Sequence, residues 1–163
     1  MPPRSYEFLT RLLDAPGPSG FEAAPARLWR GEAAAFADDV RSDVHGNCYA
    51  TLNGAGSPRV MFAGHLDEIG LMVVHVDEEG FLSFAGIGGW DPQVFVGQRV
   101  TMLGHAGPVH GVIGKKAIHL MEKDDREKVS KVEDLWVDIG ARNRKEALAR
   151  VRVALDRLIP DVQ

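Results

Sequence analysis

This sequence holds one cysteine, no excess of basic charge and no long apolar run, and each shortage excludes something. Cys48 is alone among 163 residues, so there is no intrachain disulfide and no CxxC pair to hold zinc. It alternates with Tyr49 and Thr51 as in a strand, which predicts a buried structural thiol rather than a nucleophile. A formal charge of −4 and a pI of about 5.8 leave no basic field to neutralise a phosphate backbone. Nucleic acid is therefore not an expected partner. No stretch approaches the roughly 20 apolar residues that span a bilayer. The opening "MPPRSYEFLTRLL" has no apolar core followed by a small-residue cleavage site. Together these absences predict a cytoplasmic protein with no membrane partner.

What is present is the texture of an ordinary globular protein, 45% hydrophobic and 26% charged, with length for one domain or two small ones. Tyr6, Leu9, Leu12 and Leu13 recur at helical spacing after a candidate N-cap, Ser5. The Pro-Gly-Pro-Ser-Gly run then stops that helix. Ser19 followed by Glu22 has the pattern of a capping box. Phe21, Leu28, Trp29 and Phe36 could line a second helix, with Pro25 in its first turn. From Val40 the period falls to two: "VRSDV" and "CYATL" flank the turn "HGN", a hairpin signature. "PRVMFAG", residues 58–64, is nearly all apolar and predicts a strand covered on both faces of a parallel or mixed sheet.

Beyond residue 68 come five short strand candidates, "GLMVVHVD", "GFLSFAGI", "QRVTML", "GPVHGVIG" and "EDLWVDIG", divided by glycine-rich turns and the mixed-charge loop "EKDDREKVSK". That spacing predicts a small barrel or sandwich. The last segment returns to helical spacing through Leu148, Val151, Leu155 and Leu158. The expected fold class is α/β: a partial layered piece of helices plus mixed sheet over 1–68, an all-β barrel-like piece over 69–141, and a C-terminal helix over 142–163.

Chemistry concentrates in "GHLDEIG". His65 and Asp67 are one residue apart, so in extended chain both side chains leave the same side of the backbone. At the carboxyl end of a strand in an α/β sheet that side opens on the crevice where ligands bind. Imidazole is a common metal ligand, and a carboxylate on its other nitrogen fixes the tautomer. A lone H-x-D is more often a surface turn or a satisfied polar pair. Glu68 reads most simply as a cap on the turn into Ile69 and Gly70.

"APGPSGFE", "GHLDEIGLMV", "GFLSFAGIGGWDPQVFVGQRV", "GVIGKKAIHLM" and "LWVDIGARNRKEA", in that order, closely resemble the N-terminal half of the glutamyl aminopeptidase and cellulase-like family, the tetrahedral co-catalytic metallo-aminopeptidases. The resemblance covers almost all of residues 6–153. It implies that His65 binds one ion of a two-metal centre, zinc or cobalt, and that Asp67 is the acid supporting it in catalysis. It implies peptide substrates losing their N-terminal residues, with the metals supplying a hydroxide and a glutamate as general base. The β-rich stretch matches an inserted dimerisation domain, so a homo-oligomer, a dimer or a larger assembly, is the expected partner state.

The resemblance fades after Val153. The bridging aspartate, the catalytic glutamate and the other ligands of the family follow the inserted domain, and here only "ALDR" offers a counterpart, nominating Asp156 as a metal residue. A catalytic zinc needs about three protein ligands, so this chain is expected to be truncated relative to the family, to bind the ions poorly and to be inactive by itself. The alternative is a self-associating β-module acting in assembly. A glycan hydrolase is the weakest reading, because Asp67 and Glu68 are adjacent and cannot flank a sugar cleft. Trp90, on a glycine-rich turn, is the candidate interface anchor, with closure of the barrel end as its plainer role. His119 is a second interface candidate, with loop anchoring as the plainer role. His75 reads as a strand histidine, His45 and His105 as exposed loop residues, and His110 remains open.

Overall fold

The structure is a computed structural model that describes residues 2–153, apart from the side chain of residue 125. The candidate metal residue Asp156 and the outer part of the expected C-terminal helix lie outside the described residues. The chain divides into two compact units, residues 1–69 and 70–163.

The first unit begins with two helices, α1 (Pro3–Leu13) and α2 (Ala23–Ala33). Pro2, not Ser5, stands at the N-cap of α1, because the proline at the first helical position already has a helical φ and no N–H to satisfy. The capping box expected of Ser19 and Glu22 does not form. Glu22 is itself the N-cap of α2 and makes no side-chain cap; its carboxylate accepts the Gly20 N–H at 2.6 Å, and Ser19 bonds elsewhere. Pro25 does lie in the first turn, and the buried residues of α2 are the small Pro25, Ala26 and Ala33 rather than the aromatic stripe. Glu32 draws in Arg4 and Arg11 of α1 at 3.2 and 3.5 Å.

A hairpin follows, β1 (Asp39–Ser42) against β2 (Cys48–Thr51). The turn between them is organised by Asp43. One carboxylate oxygen accepts the N–H groups of His45 and Asn47, both at 3.0 Å, and the other the Asn47 amide at 2.8 Å and the Tyr49 hydroxyl at 3.1 Å. Gly46 supplies the positive φ of 88° that the turn requires. Cys48 is half-buried, 3.7 Å from the Ser42 hydroxyl.

The strand expected over 58–64 is absent. Residues 59–66 carry no regular structure, and Phe62 is 95% exposed and Met61 86%. A strand buried on both faces needs neighbours in a sheet and layers above and below. The described part of this unit offers only the hairpin, and its one parallel pairing is the single bridge Pro18↔Glu68.

The second unit holds a curled antiparallel sheet of five strands: β3 (Gly70–Val76), β4 (Leu82–Ile87), β5 (Arg99–Leu103), β6 (Pro108–Lys115) and β7 (Leu135–Asp138), in the order β3-β4-β7-β6-β5. All five sequence candidates are strands. Inward residues alternate along them, so that Val76, Leu82, Phe84, Ile113, Leu135 and Val137 form one core with Phe95, Ile139, Ala147 and Val151. Phe95 meets Phe84 edge-on, with ring centroids 5.6 Å apart.

The expected C-terminal helix is cut short at α3 (Arg144–Leu148), capped by Asn143, whose side chain accepts the Glu146 N–H at 3.0 Å. Val151 is not on a helical face but makes an isolated bridge to Gly104 and is buried in the core. Gly104 permits this approach, since a Cβ there would lie 2.5 Å from the Arg150 carbonyl oxygen. Burial of Val151 in the sheet outweighs one more helical turn.

Truncating Leu82 to Ala should lower the unfolding free energy of the β-unit by about 2–5 kcal/mol, read from urea denaturation followed by tryptophan fluorescence. Asp43 should titrate below its usual 3.8, held down first by the Asn47 amide. A lowered folded pKa means its contribution is present above the unfolded value and lost as the pH falls through the folded one. Replacing Asn47 by Ala should raise that midpoint in a carboxyl carbon NMR titration.

Candidate metal-ligand site

The segment His65-Leu66-Asp67-Glu68 closes the first unit, and it is held by the turn that follows α1. In Pro16-Gly17-Pro18-Ser19 the two prolines have no N–H, so only Gly17 and Ser19 can donate from the backbone. Both donate to Glu68: the Gly17 N–H to its carboxylate at 3.2 Å, the Ser19 N–H to its carbonyl at 3.2 Å. The Glu68 N–H returns to the Gly17 carbonyl at 2.9 Å. Glu68 is thus not a cap for its own turn, as its position suggested, but the partner of residues some fifty positions earlier. Gly17 has no room for a side chain, because a Cβ would stand 2.7 Å from Pro25 Cγ.

On this base Asp67 joins two groups. Its Oδ1 lies 2.9 Å from His65 Nδ1, and its Oδ2 accepts the Ser19 hydroxyl at 2.6 Å. His65 Nδ1 is also 3.0 Å from the Asp67 carbonyl oxygen. The hydroxyl of Ser19 above all keeps the Asp67 carboxyl below the usual carboxylate range; desolvation opposes it, and the neighbouring imidazole adds to the lowering. The His65 side chain is 85% exposed. The structure therefore brings His65 and Asp67 together as the spacing predicts, and adds Ser19, which sequence reasoning had placed at a helix start. The alternating prolines were the available signal, since they leave so few donors in that turn.

The other candidates lie apart. Trp90 is half-buried in the β-unit, its Nε1 donating to the Gly70 carbonyl at 2.9 Å and its ring 5.0 Å from that of Phe95. His119 is exposed on a 3-10 turn, Ile118–Leu120. His75 is exposed on β3, and His110 on β6 faces Thr101 across the ladder, Oγ1 to Nδ1 3.1 Å. His45 and His105 are exposed loop residues.

As a metal site, the arrangement fits one corner of a coordination shell. No three His, Cys, Asp or Glu residues cluster as a metal site among the described residues. His65 can offer one nitrogen, and Asp67 is engaged in orienting it.

The sequence pattern of the M42 glutamyl aminopeptidases matches residues 46–161. The chain belongs to this family. Among M42 relatives, the lysyl aminopeptidase of Pyrococcus furiosus is 34% identical over 145 residues, which cover 87% of this chain and 41% of that protein. The TET aminopeptidase of the marine sediment archaeon Thaumarchaeota archaeon SCGC AB-539-E09 superposes with a TM-score of 0.86 at 38% identity, over 92% of this chain and 42% of that one. The TET1 peptidase of Pyrococcus horikoshii, which can assemble into a tetrahedron or a large octahedral shell, superposes at 0.79 with 35% identity, over 91% and 44%. This M42 chain spans about two-fifths of the length of the relatives it matches.

Substituting Gly17 by Ala should crowd Pro25 and loosen the pairing with Glu68, at about 1–3 kcal/mol. Faster amide exchange at Gly17, Ser19 and Glu68 would be the measurement.

Proposed function

We propose that this chain is the N-terminal portion of a dinuclear metal-dependent aminopeptidase that removes N-terminal residues from peptides, and that it supplies the ligand His65 and its supporting acid, Asp67. The observation that carries this reading is the imidazole whose Nδ1 is bound by Asp67 while the ring stands exposed. Two divalent ions, zinc or cobalt, would polarise the scissile carbonyl and provide the attacking hydroxide. What this chain would contribute is an oriented imidazole on a segment clamped by Glu68. Asp156, outside the described residues, is a further proposed metal residue, and the other ligands and the general base would come from the part of the relatives that this chain does not cover.

The exposed run Val60-Met61-Phe62 supports the same reading. Burying such side chains is worth about 1.5–3 kcal/mol each, and in a longer polypeptide further strands and helices would cover them.

The β-unit is the assembly module in this proposal, and the chain a homo-oligomer through it, supported by the shells that the P. horikoshii peptidase forms. Trp90 and His119 are its proposed contact residues. Glycan hydrolysis finds no support in the site, because Asp67 is committed to His65 and Ser19 and Glu68 to Gly17.

The chain by itself should show no zinc- or cobalt-stimulated cleavage of aminoacyl anilides. Robust turnover that His65→Ala abolishes would overturn the incompleteness of the site. Light scattering at micromolar concentration should find a dimer or larger, and a strict monomer would count against the assembly role.

A further inference from the structure

We propose that Ser19 is a positioning residue for His65: by anchoring Asp67 it holds the imidazole in the tautomer protonated at Nδ1, with the Nε2 lone pair turned outward for an electrophile. The functional meaning of this rests on the metal reading above; the tautomer itself does not.

Both partners of His65 Nδ1 are acceptors, the Asp67 carboxylate at 2.9 Å and the Asp67 carbonyl at 3.0 Å. A neutral imidazole meets two acceptors at one nitrogen only if that nitrogen carries the proton. Nε2 is then unprotonated, the form that a metal ion requires. The carboxylate can keep Oδ1 toward the ring only while its own rotation is checked, and the check is on the other oxygen. Oδ2 takes the Ser19 hydroxyl at 2.6 Å, within the range of a charge-assisted O–H···O⁻ bond.

Ser19 is itself held, because its N–H donates to Glu68 O and it follows the bridged Pro18. The relay therefore runs from a backbone pairing, through a hydroxyl and a carboxylate, to one ring nitrogen. A Ser19 that merely tied the turn to the 67–68 segment would duplicate its own backbone bond; the hydroxyl adds rotational control of Asp67.

The test compares the wild-type chain with Ser19→Ala and Ser19→Thr. Long-range proton–nitrogen NMR correlations of His65 report which ring nitrogen is protonated. Amide signals of Gly17, Ser19 and Glu68 report whether the turn is intact. The wild type should be mainly Nδ1-protonated. Ser19→Ala should shift a substantial fraction to the Nε2-protonated form with the turn preserved, and Ser19→Thr should restore the wild-type pattern.

An unchanged tautomer in Ser19→Ala, or an Nε2-protonated wild type, would overturn the proposal. If the alanine variant loses the turn, Ser19→Thr decides: it must keep both the turn and the Nδ1 proton, and keeping the turn without the proton overturns the proposal.

Titration with cobalt(II) alone separates this from the metal reading. Selective broadening of the His65 ring protons is expected in the wild type, at about 10–100-fold higher metal concentration in Ser19→Ala. A tautomer shift without any cobalt effect at His65 would leave Ser19 in its role and remove the metal reading. Equal cobalt binding in both proteins with the same tautomer would do the reverse.

Discussion

The pairing of Gly17 and Ser19 with Glu68 is the constraint on which the candidate site stands. Three backbone and side-chain hydrogen bonds join segments that are far apart in sequence, and the Ser19 hydroxyl bond to Asp67 adds a fourth. The geometry works because two prolines silence the alternate N–H groups and a glycine lets Pro25 come within contact. With Glu68 fixed, Asp67 reaches both Ser19 and His65. Without it, an H-x-D sequence would be a polar bend in solvent.

The two units differ in how their stability is provided. In the β-unit, ten buried residues from strands, loops and α3 share one core, so strand order and register follow from alternating burial. In the first unit the buried apolar residues are the small side chains of Ala26 and Ala33, joined by Pro25, and large ones such as Val60, Met61 and Phe62 face outward. A segment so apolar and so exposed has no covering layer among the described residues. The chain covers about two-fifths of the length of its M42 relatives.

Much of the fold was legible. The five strands of the β-unit stood out because strict alternation and glycine turns report burial on one face, a local property. The H-x-D pair was legible for the same reason, since two residues apart in extended chain means one side of the backbone. Residues 58–64 misled because continuous apolarity indicates that a strand wants neighbours, not that it has them. Val151 misled because helical spacing also fits a residue captured by a sheet edge, and only the bare backbone of Gly104 shows why the sheet prevailed.

What the sequence by itself determined about this protein is its family, its β-strands and the pairing of His65 with Asp67, all of which depend on residues near one another in the chain. What only the tertiary structure decided is the hydrogen-bond partners of Ser19 and Glu68. Pattern alone made Ser19 a helix cap and Glu68 a turn cap, whereas each found its partner some fifty residues away. Polar side chains commit to whichever donor or acceptor the fold brings within hydrogen-bond reach, and that distance is not written in local spacing.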